Sequence, residues 1–306
     1  MRKLLTSILV TLILFVTLGS VSLAWVNLPR TNIIDDISFG AKTKTGLEIS
    51  LDGIEYKNEI DEASINEIIR NINFKDMTSS DGITFESGYS KNSQIVKNRD
   101  YISFDIYFRT NETRRNVYLA DNVKREEVLY DELKRFEEHT YIISKGINWR
   151  TSNDFWYGPE LEDIRESGSV NRYYASDAIR ISSIEKSPNA GYELEDPIIK
   201  IFDLSENETR GFGKEFGAID YFKKVTGNNN IEIPDAPKVI YGLTKFDEYQ
   251  IPDGDKSLIT TLRYVDNSGY AKGKVTFNIW VEGWDADSFD AILGDKISIQ
   301  LAFKSN

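Results

Sequence analysis

Four aspartates, Asp285, Asp287, Asp290 and Asp295, fall between two strongly alternating segments, and carboxylates gathered in one loop are the donors a hard cation takes. A polar loop over a hairpin is the plainer reading of the same residues. The sequence therefore assigns no cofactor and keeps calcium at Asp285, Asp287 and Asp290 as the one metal to consider. Asp253-Gly254-Asp255 opens with the spacing of an oxygen-rich loop, but Leu258 stands where an EF-hand needs glycine and Tyr264 where it needs glutamate. A second set is aromatic: Trp149, Phe155, Trp156 and Tyr157 lie beside Arg150, Asn153 and Asp154. Rings next to polar groups can form a ligand platform for sugars, and they can equally plug a core, the commoner fate of large aromatics. The single histidine, His139, and the absence of cysteine remove histidine metal clusters and thiol catalysis. No Gly-x-Ser-x-Gly, Walker A or Gly-x-Gly-x-x-Gly stretch occurs, so the chain reads as a non-enzyme.

Charge narrows the partners. Forty-nine acidic against 37 basic residues give a net charge of −12, the wrong sign for releasing counterions from phosphate, so nucleic acid is excluded as a partner. Without disulfides, stability has to come from burial across a sizeable core.

Those side chains need strands to hold them. Ile102, Phe104, Ile106 and Phe108 alternate with Ser103, Asp105, Tyr107 and Arg109, the period of a half-buried strand. Val275, Phe277, Ile279 and Val281 repeat the pattern, as do Ile297, Ile299, Leu301 and Phe303. Residues 46–57 read as a hairpin about Asp52-Gly53, and Asn267-Ser268-Gly269 marks a second turn. Shorter strands are expected near 177–185, 198–204, 238–243 and 257–265. Apolar spacing predicts helices over 61–72, 123–138 and 214–225. The expected fold is all-β dominated: a jelly-roll-like antiparallel β-sandwich with short helices in the connections and a less regular insertion at about 120–175.

The opening residues carry an address. Arg2 and Lys3 precede an uncharged run from Leu4 to Trp25, with small Ser22 and Ala24 at the −3 and −1 positions. This is the form of an export signal, cut by a signal peptidase after residue 24. The same run is also long enough to remain as a membrane anchor, since about 21 residues at ~1.5 Å each span roughly 30 Å. Either way the body, 25–306, is expected to be secreted or held at the cell surface.

Ser22-Leu23-Ala24-Trp25-Val26-Asn27-Leu28, followed by Gly46 to Tyr56, resembles the start of Gram-positive exported proteins handled by the SipW type of signal peptidase, the TasA and camelysin family of surface and matrix proteins. Residues 101–109, 116–119 and 275–287, with the closing strand 297–303, are similar to the same group, while 120–175 is not. The resemblance implies a jelly-roll sandwich and, for fibre-forming members, subunits joined by an N-terminal strand entering a neighbour's sheet. Strand addition satisfies the open backbone groups of a sheet edge. Trp25, Val26, Asn27, Leu28 and Ile34 are the candidate assembly strand, with Val26, Leu28 and Ile34 on one parity. The same stretch can instead be the first strand of its own subunit, and a self-paired strand can also be exchanged between copies. The expected function is a non-enzymatic matrix or surface subunit that self-associates or joins related subunits. The alternative is a monomeric secreted module that binds carbohydrate through the 149–157 aromatics.

Overall fold

A computed structural model describes residues 36–43, 46–60, 62–88, 94–113, 115–136, 138–265, 267 and 269–306. The expected leader 1–24 and the assembly residues Trp25, Val26, Asn27, Leu28 and Ile34 lie outside the described residues. The chain opens with β1 (Asp36–Thr43), β2 (Glu48–Ser50), β3 (Glu59–Ile60), α1 (Glu62–Ile69), β4 (Asp76–Thr78) and β5 (Glu86–Ser87). It continues through β6 (Ile102–Thr110), β7 (Asn116–Leu119), β8 (Tyr141–Ser144), β9 (Ile147–Arg150), β10 (Phe155–Trp156), β11 (Ile164–Arg165) and β12 (Val170–Tyr173). Then follow β13 (Ile179–Lys186), β14 (Ile199–Phe202), α2 (Ala218–Thr226), β15 (Leu258–Thr261), β16 (Tyr264–Val265), β17 (Ala271–Glu282) and β18 (Lys296–Ser305). Among the described residues no helix is long and apolar enough to cross a membrane.

Two sheets face each other, and the protein is an all-β sandwich. The three strongly alternating segments become β6, β17 and β18, because period-two burial commits one face of each to the core. In the first sheet β18 is the axle: β1 runs parallel to it over all eight of its residues, while β7 and β8 pair antiparallel on its other side. In the second, β17 is flanked by β13 and β6, both antiparallel, with β2 outside β6 and β14 outside β13. Among the described strand-to-strand ladders, β1 with β18 and the short contact of β17 with β4 are parallel. Phenylalanines stitch the layers: Phe39 meets Phe104 edge-on at 5.1 Å and Phe303 touches Phe277 and Phe108 at 5.7 and 5.0 Å, while within the second sheet Phe104 stacks on its cross-strand partner Phe277 at 5.9 Å. Each buried ring of this kind stabilises the fold by roughly 1.5–3 kcal/mol from removed apolar area.

The outer faces are partly clothed by loops. Residues 123–138 were expected as a helix, but only Tyr130–Phe136 winds, as a 3₁₀ turn. Val123, Val128 and Leu133 recur every five residues, which matches no helical stripe, and they pack instead with Tyr141 and Ile143 on the first sheet. The insertion is more regular than its sequence suggests: β9 pairs with β12, and within that hairpin β10 pairs with β11. Residues 238–243, expected as a strand, form only a single bridge of Tyr241 to Phe202.

One turn occurs twice. Ser50-Leu51-Asp52-Gly53-Ile54 and Ser79-Ser80-Asp81-Gly82-Ile83 fold identically: the glycine N–H donates to the serine Oγ at 2.9 Å in both. The aspartate Oδ1 accepts the two following N–H groups, at 2.8 and 3.0 Å for Asp52 and 2.8 and 2.7 Å for Asp81. Gly53 and Gly82 sit at φ +74° and +75°, a conformation that favours glycine. These bonds, led by that from Ile54, hold the Asp52 carboxyl below its ordinary range. The second turn also anchors its loop, since the Gly82 carbonyl accepts from Ser182 Oγ at 2.6 Å and from Asn278 Nδ2 at 3.0 Å on the second sheet.

Candidate functional site

Three of the four aromatics proposed as a platform, Trp149, Phe155 and Tyr157, come together in one wedge, while the Trp156 ring turns to Phe216 at 5.6 Å. Phe155, at the start of β10, is 1% exposed and meets Tyr221 of α2 and Phe289 edge-on, both at 5.4 Å. Trp149 on β9 lies against Tyr173, Tyr221 and Phe289 at 5.6–5.9 Å, and so sits against the helix α2. Trp156 is tied down by its backbone N–H to Asp220 and its Nε1 to the Glu160 carbonyl, at 2.7 and 2.8 Å. Tyr157 is clamped between the guanidinium groups of Arg210 at 3.7 Å and Arg165 at 4.0 Å. Burial, with the charge of Asp287, pushes its phenol up to about 12. Of the four, Phe155 is buried and Trp149, Trp156 and Tyr157 are half-buried, so the packing of Phe155, Trp149 and Tyr157 joins the inserted hairpin to the sandwich while part of each of the other three rings stays accessible.

The aspartates proposed for calcium are divided among different partners. Asp285 binds the buried Arg180 of β13, which also pairs with Asp203 at 3.0 Å. Asp287 pairs with Arg210 at 2.7 Å, Asp290 accepts the Tyr221 hydroxyl at 2.9 Å, and Asp295 accepts the N–H groups of Gly146, Ala175 and Lys296 at 2.8–3.0 Å. Among the described residues no group of three or more His, Asp or Glu is placed to hold a metal ion. The segment after β17 works as a clasp, joining β13, the 203–213 loop and the aromatic wedge. Gly213 N–H donates to the Trp284 carbonyl and Ala218 N–H to the Ala286 carbonyl, at 2.8 and 2.9 Å. Gly217 is essential to the fit, since a Cβ there would stand 2.2 Å from the Ala286 oxygen at φ +65°.

Burial sets the protonation of this clasp. Desolvation raises the Asp285 carboxyl well above its ordinary value against the pull of Arg180. It lifts Glu282 to about 7 and, with the charge of Asp287, Asp177 to about 6. Glu282 accepts from Trp280 Nε1 at 3.1 Å and from Trp284 N–H at 3.2 Å, bonds that a neutral carboxyl can still take. His139 stacks edge-on against Phe136 at 5.9 Å, and its Nδ1 meets no hydrogen-bond partner, so no carboxylate orients it through that atom.

Beside the clasp, the 203–214 and 240–256 loops enclose a cleft of about 740 Å³ that sequence reasoning missed. Phe212, Tyr241 and Leu243 supply its apolar walls, and Glu208, Lys214 and Asp253 its polar rim. Its size is that of a small-molecule site. The two loops are distant in sequence and lack periodicity; the isolated bridges Phe202 to Tyr241, Ala120 to Thr244 and Phe212 to Asp285, with the bonds between Thr244 and Ser257, locate them. The scaffold and these sites define a β-sandwich with packed aromatic and ionic clasps. A scan against protein-family models, a search of curated proteins and a search of solved structures each return no match.

Proposed function

We propose that the protein is an exported, non-enzymatic subunit of the cell surface or extracellular matrix, akin to the TasA and camelysin group, with jelly-roll connectivity and assembly by exchange of its N-terminal strand. The observation that supports assembly is the pairing of β1. Its partner β18 is not a hairpin neighbour, for Ser38 and Ser298 face each other across 260 residues, with Oγ atoms 2.7 Å apart. No tight turn ties β1 to that place, and it inserts Phe39 and Ala41 into the core, 2% and 0% exposed. The β1 of a second copy makes the same ladder and fills the same space, which is the geometry of strand exchange. In the sequence, residues 25–34 precede β1 and belong to the segment proposed to be handed over. Electron microscopy of 25–306 and of 35–306 tests the reading: fibres from the first and none from the second are expected, and a persistently monomeric 25–306 overturns it.

The second reading is a monomeric binding module, favoured by the cleft bearing Phe212 and Tyr241 in place of the packed 149–157 aromatics. A soluble monomer that retains a sugar ligand, and loses it on Phe212→Ala, supports that reading.

A further inference from the structure

Both walls of the cleft between the 203–214 and 240–256 loops are tied to the sandwich. On one side the Phe212 backbone bridges to Asp285, and the Gly213 N–H donates to the Trp284 carbonyl at 2.8 Å. On the other, the Tyr241 N–H donates to the Ile201 carbonyl at 2.8 Å, and Thr244 and Ser257 exchange backbone-to-hydroxyl bonds at 2.9 and 3.0 Å. Lys200 of β14 braces this wall from below, for its ammonium donates to the Lys256 carbonyl at 2.9 Å and lies 5.0 Å from the Tyr241 ring centre. Loops held this way give up little freedom when a ligand arrives. Two half-buried rings line the space, Phe212 and Tyr241. Tyr241 is backed by Phe202, with ring centres 6.3 Å apart, while Phe212 meets no other aromatic ring among the described residues. Aromatic walls of this kind offer flat apolar surface to a ligand.

The charges of the cleft divide into those already answered and those left open. Asp203 pairs with Arg180 at 3.0 Å and Glu206 with Lys124 at 2.6 Å, and the Lys245 charge also acts on Glu206. Each loop then contributes one further carboxylate and one further ammonium: Glu208 and Lys214 from the first, Asp253 and Lys256 from the second. Among the described residues the side chains of Glu208, Lys214 and Lys256 make no hydrogen bond or ion pair. Asp253 is set in place through one oxygen, which accepts the Lys245 N–H at 3.1 Å, and its other oxygen stays open. Opposite charges that line one cleft without bonding each other leave their acceptors and donors to whatever enters. Two carboxylates balance two ammoniums, so this set favours neither an anion nor a cation. A neutral ligand rich in hydroxyls uses both, because a hydroxyl donates to a carboxylate and accepts from an ammonium.

We propose that this cleft binds a neutral oligosaccharide, its sugar faces on Phe212 and Tyr241 and its hydroxyls shared between Glu208 and Asp253 as acceptors and Lys214 and Lys256 as donors. A volume of about 740 Å³ lies in the upper part of the range of small-molecule sites and gives room for more than one sugar ring. An acidic sugar meets repulsion from the two carboxylates, and a basic one from the lysines. The inference rests on the second reading above, in which the cleft is a binding site, and narrows its ligand to one class; it is independent of strand exchange.

The test titrates chain 25–306 by calorimetry at low and moderate salt. Maltotetraose, cellotetraose, mannotetraose and N-acetylchitotetraose are the neutral probes, tetragalacturonate the acidic one and glucosamine tetramer the basic one. Expected is binding of at least one neutral probe, tighter than either charged probe and changed by less than about twofold between the two salts, since no ion pair forms. Phe212→Ala should weaken that probe by roughly tenfold, through the lost ring face. Glu208→Gln/Lys214→Gln should weaken it by a similar roughly tenfold, the worth of hydrogen bonds to charged groups. Its melting temperature should stay unchanged, because neither side chain bonds another group of the protein. Binding of no probe overturns both the inference and the reading of the cleft as a site. Tighter binding of tetragalacturonate or of glucosamine tetramer than of every neutral probe leaves the cleft a binding site and overturns the neutral class. Unchanged affinity in both variants overturns the placement of the sugar.

Discussion

Replacing Glu282 with glutamine should remove a specific part of the pH dependence of stability. The carboxyl is 1% exposed, and burial lifts it from an ordinary value of 4.5 to about 7 in the folded chain. In that window the folded state holds a proton that the unfolded state has released. Stability from this group is therefore fully present below about pH 4.5 and lost as pH rises through about 7. At about 1.4 kcal/mol per pH unit of difference, the loss amounts to roughly 3 kcal/mol. Glu282→Gln keeps a neutral group of the same shape against Trp280 and Trp284, so its stability should not fall through this step. Urea unfolding followed by tryptophan fluorescence at pH 4.5, 5.5, 6.5 and 7.5 measures both proteins. The expected result is a difference in favour of the variant that grows by roughly 3 kcal/mol from the first pH to the last. Asp177 and Asp285 are shifted in the same direction and remain in both proteins, so they cancel in the comparison. A difference that is constant across the series refutes the reasoning.

Three further substitutions probe the clasp and the wedge. Arg180→Ala strands Asp203 and Asp285 in a buried setting, and denaturant unfolding at pH 7 should show a loss of roughly 3–5 kcal/mol, where less than about 1 kcal/mol would contradict the ion-pair account. Gly217→Ala combines a left-handed backbone with a Cβ 2.2 Å from the Ala286 oxygen. It should cost well above the ~1 kcal/mol typical of an incompatible glycine site, read as a drop in melting temperature. Phe155→Ala should destabilise by roughly 3–5 kcal/mol in the same assay, as expected for a core ring and not for an exposed sugar platform.

The sandwich was readable wherever one face of a strand is dry and the other wet. Segments 102–110, 271–282 and 296–305 announce themselves by period two, and α1 by its isoleucine stripe, with Ile65 and Ile69 buried. The misread 123–138 helix failed because its apolar residues answer to a sheet surface below them and not to a helical face. The clasp was half visible: the Asp285 and Asp287 cluster stood out, but its arginine partners lie 105 and 77 residues away. A signal did exist at Arg180, a lone charge between the apolar residues Ala178, Ile179 and Ile181, which on burial requires an acid partner. The repeated Ser-x-Asp-Gly-Ile turn was equally open to a comparison of the chain with itself. The cleft depends on loop packing, which the local pattern does not encode.

Strand exchange makes a covalent prediction, because the chain contains no cysteine and Ser38 and Ser298 lie directly opposite on β1 and β18. Facing positions on paired strands fall within the reach of a disulfide. Ser38→Cys and Ser298→Cys are made as separate variants of 25–306, mixed, allowed to assemble, and oxidised. If β1 of one copy pairs with β18 of the next, the mixture yields covalent dimers joining the two variants. If assembled material gives no such dimers, while the Ser38→Cys/Ser298→Cys double variant closes only within its own chain, β1 stays at home and the proposed mode of assembly is wrong.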